Sequence, residues 1–176
     1  ELTQYFGDQY TMGRFEAEAL LSGIMLDTKN FVIKTGVRTF EAAAYLRRRG
    51  ADTVEVRKFF SSSMSAYQTK AVLVASAQIY KKCAIAVAEG TGDELKIIVP
   101  QAADELLTIS GVDASFVIYE ADGKVNISAR SMGVINVQII MEHLGGGGHQ
   151  TMAGTQIDGE NAGNIKQKLQ QQIDEY

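Results

Sequence analysis

The sequence predicts an α/β fold, with the related α+β class as the alternative: a small mixed sheet with flanking helices, preceded by a helical segment. After residue 82, short apolar runs typical of strands alternate with segments of helical periodicity. The dipeptide Asp122–Gly123, between alternating segments at 115–121 and 124–130, is typical of a two-residue β-hairpin turn. Before residue 82 the periodicity is helical, so the sheet is expected in the C-terminal part.

Two amphipathic helices are expected first. One ends at a loop over 27–30, and the next spans 39–49, with Thr39 as its N-cap and Gly50 just past its end. The positions expected to be buried are Phe15, Ala19, Leu20 and Gly23 in the first helix, and Phe40, Ala43, Ala44 and Leu46 in the second.

Two further helices lead to the predicted sheet. A short helix begins at Asp52 and ends near Phe60, and a longer one covers 65–81, after a polar break at 61–63. A domain boundary is expected between residues 50 and 65. The expected core positions of the longer helix are Val72, Ala75 and Ile79.

The C-terminal part is expected to alternate strands and helices. An apolar strand at 83–89 precedes a helix that Pro100 opens and Gly111 closes. Beyond the predicted hairpin, helices are expected at 134–144 and 161–175. The last helix carries on one face Ile165, Leu169 and Ile173.

Composition limits the function classes. The 176 residues include a single cysteine, Cys83, which excludes a disulfide scaffold and is expected to be buried and inert. No apolar run approaches the ~20 residues that a membrane helix needs. Residues 1–70 carry a net charge of +2, and residues 71–176 carry −6. An acidic C-terminal part disfavours long nucleic acids, but it allows a small phosphate-bearing ligand held by one or two cations.

The glycine run at 145–148 needs a physical reason. One glycine would suffice to end a helix, and each costs roughly 0.5–1 kcal/mol of backbone entropy relative to alanine. A tight loop whose backbone N–H groups meet a phosphate is one explanation, and a flexible linker is the other. His149 follows directly and either contacts that ligand or is satisfied in the core.

A second candidate position is the end of the strand at 124–130. Arg130 and Ser131 lie where ligands often bind in sheet proteins, and the guanidinium fork of arginine suits phosphate. The alternative for Arg130 is a surface ion pair.

These residues resemble a known family. The segments 127–131, 136–137, 145–149 and 153–154 are similar to the substrate-binding domain of the Asp-His-His (DHH) phosphoesterases. The segment 21–31, Leu-Ser-Gly-Ile-Met-Leu-Asp-Thr-Lys-Asn-Phe, resembles the last metal-binding motif of their catalytic domain. The resemblance covers essentially the whole chain and is greatest to the membrane-anchored cyclic-di-AMP phosphodiesterases of Gram-positive bacteria.

The resemblance implies a reaction and a set of roles. Such enzymes hydrolyse cyclic-di-AMP to linear pApA with two Mn²⁺ ions, a two-metal displacement. Asp27 is implied as a metal ligand, although an aspartate before Thr-Lys-Asn also suits a simple turn cap. The residues implied to hold the cyclic or linear dinucleotide are Arg130, Ser131, Asn136, Gly145, Gly146, Gly147, Gly148 and His149.

The sequence also departs from the family pattern. It has no Asp-His-His motif and only two histidines, both in the C-terminal part. We therefore expect a fragment that does not hydrolyse phosphodiesters by itself. Its expected division is a catalytic-domain remnant at 1–50, a helical linker at 51–81 and a substrate-binding domain at 82–176. It is expected to be a cytoplasmic part, joined to the membrane only through a segment absent from this chain.

Other functions stay open at this point. A nuclease or oligoribonuclease of the same family would act on short RNA or single-stranded DNA, although the acidic C-terminal part disfavours a long substrate. A related glycine-rich domain at the C-terminus of alanyl-tRNA synthetases binds tRNA and dimerises, but the motif around Asp27 does not precede it. The third class is a structural or dimerisation domain without a ligand, and a homodimer is compatible with each of these readings.

Overall fold

A computed structural model describes residues 12–176, which form two compact units that divide between Ser62 and Ser63. Mixed α/β architecture is confirmed, because the second unit contains a six-stranded sheet with helices packed against it. The expected division at 1–50, 51–81 and 82–176 stays a prediction, and its first 11 residues lie outside the described part. Within residues 12–176, no helix combines the length and apolar character that a membrane span requires.

Within residues 12–62 the first unit has three helices, α1 (Arg14–Asp27), α2 (Val37–Arg48) and α3 (Thr53–Lys58). Its core consists of Met12, Ala17, Leu21, Leu46, Ala51 and Val56. Helix α2 begins two residues earlier than expected, after Gly36, whose backbone N–H donates to Thr39 Oγ1 at 3.3 Å. Thr39 therefore supports the helix start from inside the helix rather than as its N-cap.

The predicted buried face of α1 was wrong, and that of α2 is confirmed for Leu46, which is buried, and in part for Ala43, which packs against the core. Phe15 is 72% exposed and Phe40 is 54% exposed, whereas Ala17 and Leu21, four residues apart, carry the core contact of α1. Glu18 is buried beside them, and its carboxylate accepts from Arg14 Nε at 2.7 Å, a bond that lowers the pKa of Glu18. Apolar side chains occur on more than one side of α1, so periodicity alone could not select the buried side.

The second unit begins with helix α4 (Met64–Ala75) and strand β1 (Gln78–Tyr80), where one helix over 65–81 was expected. Leu73 is the buried residue of α4, whereas Val72 and Ile79 are exposed. Backbone pairing of β1 with the following strand outweighs the helical propensity of this segment, an outcome that local periodicity does not encode.

The remaining strands are β2 (Cys83–Thr91), β3 (Ala114–Ala121), β4 (Lys124–Ser131), β5 (Gly147–His149) and β6 (Met152–Asp158). Their order in the sheet is β1-β2-β3-β4-β6-β5, with β2 and β3 parallel and every other pair antiparallel. The predicted hairpin is confirmed, because Ala121 pairs with Lys124 across a turn in which Asp122 and Gly123 both have positive φ.

The other helices are α5 (Leu95–Leu106), α6 (Val137–His143) and α7 (Ala162–Glu175). Pro100 lies inside α5 rather than at its start. The helix begins earlier because the N–H groups of Leu95 and Lys96 bond to carbonyls three residues before them and so form a tight first turn. Gly111 follows α5 at a distance of five residues, with φ of 84°.

Each side of the sheet has its own core. On one side, Phe116, Ile118 and Ile127 pack with α6 and α7. On the other side, Ala84, Ala86 and Val117 pack with α4 and α5. Cys83 belongs to the first side, and its burial raises the pKa of the thiol to about 11, so the thiol is protonated at neutral pH.

The turn between β1 and β2 is made of two lysines in an unfavourable conformation. Tyr80 pairs with Cys83, and the intervening Lys81 and Lys82 have φ of 46° and 63°. A type I′ turn needs positive φ at both positions, which favours asparagine and glycine. Lys81 Nζ lies 2.5 Å from Asp174 Oδ1, and Lys82 Nζ lies 3.7 Å from Asp113 Oδ2.

We expect Lys82→Gly to raise the free energy of unfolding by about 1 kcal/mol, because glycine adopts positive φ without steric cost. Urea denaturation followed by circular dichroism measures the change. Lys82→Ala is the matched control, since it removes the same exposed ion pair but keeps the Cβ atom, and it should give no gain. Equal stabilisation by both variants would mean that the conformation of Lys82 is not strained.

Candidate functional site

Strand register places two of the candidate ligand residues on the same face of the sheet. Arg130 in β4 pairs with Met152 in β6, and Met152 pairs with His149 in β5. Residues directly opposite each other across neighbouring strands share a face. We call Arg130, Met152 and His149 the open row. At about 4.8 Å per strand, its two ends lie roughly 10 Å apart.

The open row passes from the core to solvent. Arg130 lies next to Ser115 of β3 on the side that α5 covers, and its side chain is 10% exposed. Met152 is 44% exposed and His149 is exposed. The core on this side contains no residue of β5 or β6 among those the structure describes. The row therefore offers a buried cation at one end, an apolar side chain in the middle and an accessible imidazole at the other end.

Two of the four glycines complete the end of helix α6. The N–H of Gly145 donates to the Glu142 carbonyl at 3.0 Å, and the N–H of Gly146 donates to the Met141 carbonyl at 2.8 Å. This pair of bonds is the Schellman arrangement, and Gly145 has the positive φ, 79°, that it requires. Capping therefore requires glycine at position 145 alone, the single residue expected from the sequence, because the backbone N–H of any residue except proline could make the bond at position 146.

Close backbone packing against β6 explains two glycines of the run, one of them already in the cap. A Cβ atom on Gly146 would lie 2.2 Å from the Gly154 carbonyl oxygen, and one on Gly148 would lie 2.5 Å from Ala153 Cα. Gly147 is different, because a Cβ atom there would meet nothing within 4 Å, and its φ is not in the positive region. Neither packing nor backbone conformation requires a glycine at position 147.

Gly147 lies on the face of the open row. It pairs with Gly154, and both are two residues from members of the row in their own strands, His149 and Met152. Side chains alternate along a strand, so position 147 shares the face of position 149. The face beside the row therefore has no side chain at Gly147 or Gly154, and a ligand can approach the backbone closely there.

The structure gives Ser131 and Asn136 different surroundings. Ser131 follows Arg130 and points to the opposite face of the sheet, where its Oγ accepts from the Gly133 N–H at 2.9 Å. Asn136 is the N-cap of α6, and its Oδ1 accepts from the Gln138 N–H at 3.1 Å. Neither residue is part of the open row. Their nucleotide-binding roles stay predictions.

Asp27 belongs to the first unit, at the last position of α1. Its side chain is 74% exposed, and Oδ1 lies 3.6 Å from Lys34 Nζ. The following residues Lys29, Asn30 and Phe31 all have φ between 49° and 66°, a left-handed run that is costly for residues other than glycine. A carboxylate at the negative end of a helix favours a nearby cation.

A manganese pair does not fit the donors that surround Asp27. A metal site needs several ligands on each ion. Within residues 12–176, no group of three or more His, Cys, Asp or Glu side chains is close enough to hold a metal ion. We therefore derive no catalytic step through a metal from these residues.

Two residues near the candidate site were not predicted from the sequence. Met152 lies between Arg130 and His149, and Asp104 of α5 places Oδ1 3.2 Å from Arg130 Nε. The sequence held a signal for Met152, since it stands three residues after His149 beyond a short turn. No sequence signal paired Asp104 with Arg130, because that contact depends on how α5 crosses the sheet.

A family model for the DHHA1 domain matches residues 81–175. The chain belongs to the DHHA1 domain family. Cyclic-di-AMP phosphodiesterase GdpP of Geobacillus thermodenitrificans is 48% identical over 179 residues, which cover 100% of this chain and 27% of that protein. Cyclic-di-AMP phosphodiesterase PdeA of Listeria monocytogenes is 47% identical with the same coverage. The chain thus spans about a quarter of the length of these curated relatives.

A solved structure shares the fold. An exopolyphosphatase-related protein from Bacteroides fragilis superposes with a TM-score of 0.80 at 20% identity, over 93% of this chain and 51% of that one. At this identity the likeness establishes the fold alone.

In the DHHA1 domain we expect Gly146→Ala and Gly148→Ala each to lower the free energy of unfolding by about 2 kcal/mol or more, because the added Cβ would overlap the β6 backbone. Gly147→Ala should change it by less than about 0.5 kcal/mol. Urea unfolding of the three variants tests this. Equal destabilisation at all three positions would mean that packing accounts for the whole run.

Proposed function

We propose that the DHHA1 domain of this chain binds a dinucleotide, cyclic-di-AMP or linear pApA, along the open row, as the substrate-binding part of a cyclic-di-AMP phosphodiesterase. The observation that carries the proposal is Gly147, a glycine without a structural reason beside a buried arginine and an exposed histidine. Support also comes from GdpP and PdeA, which are 48% and 47% identical over the whole chain and are named as cyclic-di-AMP phosphodiesterases.

Each member of the open row has a chemical role in this proposal. The planar guanidinium of Arg130 binds a phosphate through paired N–H donors. The exposed thioether of Met152 offers a polarisable surface to an adenine ring. His149 donates to or accepts from the ligand, and Gly147 lets the ligand approach the backbone.

The charge of this part favours a small ligand over a nucleic acid strand. Residues 71–176 carry 7 lysines and arginines against 13 aspartates and glutamates. Binding of long nucleic acids needs several cations along a groove. Arg130 is the one cation of the open row, which matches one phosphate group at a time.

The longer protein to which this chain corresponds is proposed to complete the reaction. In that proposal Asp27 is one ligand of a manganese pair, and the remaining ligands come from outside residues 12–176. The longer protein is also proposed to be anchored in the membrane, with this part in the cytoplasm, as in the enzymes that the sequence resembles.

We expect calorimetric titration of the purified chain with cyclic-di-AMP or pApA, with and without Mn²⁺, to give a binding isotherm that weakens at least about tenfold in His149→Ala, since the variant loses a contact worth about 1.4 kcal/mol. His143→Ala is the matched control, because it removes the other histidine, which is exposed on α6, and should not change the affinity.

Gly147→Ala supplies the second arm of that titration. It should fold as the unchanged chain does and bind the dinucleotide at least about tenfold more weakly, because its methyl group occupies the face beside the row. Cyclic-di-GMP, a short oligoribonucleotide and tRNA are the competing ligands. Tighter binding of tRNA or of the oligoribonucleotide than of either adenylate ligand would overturn the proposal.

The purified chain should not convert cyclic-di-AMP to pApA in the presence of Mn²⁺, because Asp27 has no completed ligand set within residues 12–176. Chromatographic separation of the two nucleotides after prolonged incubation measures this. Sustained manganese-dependent turnover by the chain would contradict it, and the Asp27→Asn variant would then test whether Asp27 takes part.

A further inference from the structure

Arg130 is an unusual buried cation. Its Nη1 donates to the Ala129 carbonyl at 2.9 Å, and its Nε lies 3.2 Å from Asp104 Oδ1. The Nε–H does not point along that line, so the contact is a charge pair without a hydrogen bond from Nε. Among the described residues, Arg130 Nε is the single buried side-chain nitrogen or oxygen without a hydrogen-bond partner.

Such an atom calls for an explanation. A guanidinium has five N–H donors, and buried donors in native proteins are almost always paired. A buried charge also needs a counter-ion, and Asp104, whose side chain is 29% exposed, supplies one. The pair therefore holds Arg130 mainly by charge, and it leaves donor capacity unused for an acceptor that arrives from outside.

Asp104 is itself fixed in place. The neighbouring Ala102 and Ala103 are fully buried, and Ser115 Oγ of β3 donates to the Ala103 carbonyl at 2.6 Å. Ser115 stands beside Arg130 in the sheet register. This turn of α5 is thus tied to the sheet directly beside the open row, so its carboxylate presents a rigid reference to the guanidinium.

We infer that Asp104 is a positioning residue that aims the Arg130 guanidinium at a phosphate of the ligand in the open row. The inference rests on the proposed function, since it assigns how that site holds its phosphate. Without the carboxylate, the Arg130 side chain regains rotamer freedom that phosphate binding must remove again. Removing the carboxylate also removes its repulsion of the ligand phosphate, which favours binding. The loss of positioning outweighs this gain.

Calorimetric titration of Asp104→Asn with pApA tests this first. We expect the dissociation constant to rise about tenfold, the lower end of the loss found when a residue that orients a metal-ligating side chain is removed. Glu105→Gln is the matched control, because it removes the adjacent acid of α5, which pairs with Lys70 at 2.7 Å, and should leave the affinity unchanged. Unchanged or tighter binding by Asp104→Asn would overturn the inference, since Asp104 would then only mask the charge of Arg130.

A spectroscopic readout separates positioning from a purely structural ion pair. The ¹⁵Nε–H resonance of Arg130, assigned by its loss in Arg130→Lys, should shift when pApA is added to the unchanged chain and stay in place in Asp104→Asn at the same pApA concentration. A resonance that pApA does not move in the unchanged chain would overturn the inference. Asp104→Glu keeps the charge and should restore most of the affinity if Asp104→Asn folds poorly.

The two proposals fail differently. If the unchanged chain binds neither pApA nor cyclic-di-AMP, the proposed function fails and the inference falls with it. If the unchanged chain binds pApA and Asp104→Asn binds it equally well, the inference alone fails.

Discussion

The pairing of β4, β6 and β5 in one fixed register is the constraint on which the candidate site depends. A slip of one residue in β6 would turn Met152 to the core and Ala153 to solvent, and it would separate Arg130 from His149. Close backbone contacts hold this register, because Gly146 and Gly148 fit against β6 and Gly154 fits against the Ile127 carbonyl. Gly146 and Gly148 of the glycine run are therefore needed for strand pairing. Gly147 is not needed for it.

The sequence predicted elements whose signals are local. The β3–β4 hairpin follows from Asp122–Gly123, and α7 follows from the spacing of Ile165 and its companions, which are buried as expected. Strand β1 was missed because its existence depends on a partner strand, and the buried side of α1 was misplaced because apolar residues surround that helix. In both cases tertiary packing determined the structure, because the local sequence was compatible with more than one arrangement.

The sequence predicted Arg130 and His149, the two ends of the open row, but it did not predict Met152 between them. Arg130 and His149 carry chemistry that a sequence shows directly, and the register then brings them to one face. The short turn after His149 places Met152 opposite it, whereas the pairing of Met152 with Arg130 depends on β6 lying between β4 and β5, a strand order that no local pattern encodes. Ser131 is adjacent to Arg130 in the chain but faces the other side, because neighbouring residues in a strand alternate.

Strand β5 also determines what the edge of the sheet offers to a second chain. A site that leaves one end of a sheet uncovered also leaves an edge at which a second chain could add a strand. Here that edge strand is only three residues long, and two of the three are glycines, which have low β-propensity and no side chains to pack. Gly147, which leaves the face open to a ligand, and Gly148, which packs against β6, thus also make this edge a poor template for strand addition by a second chain.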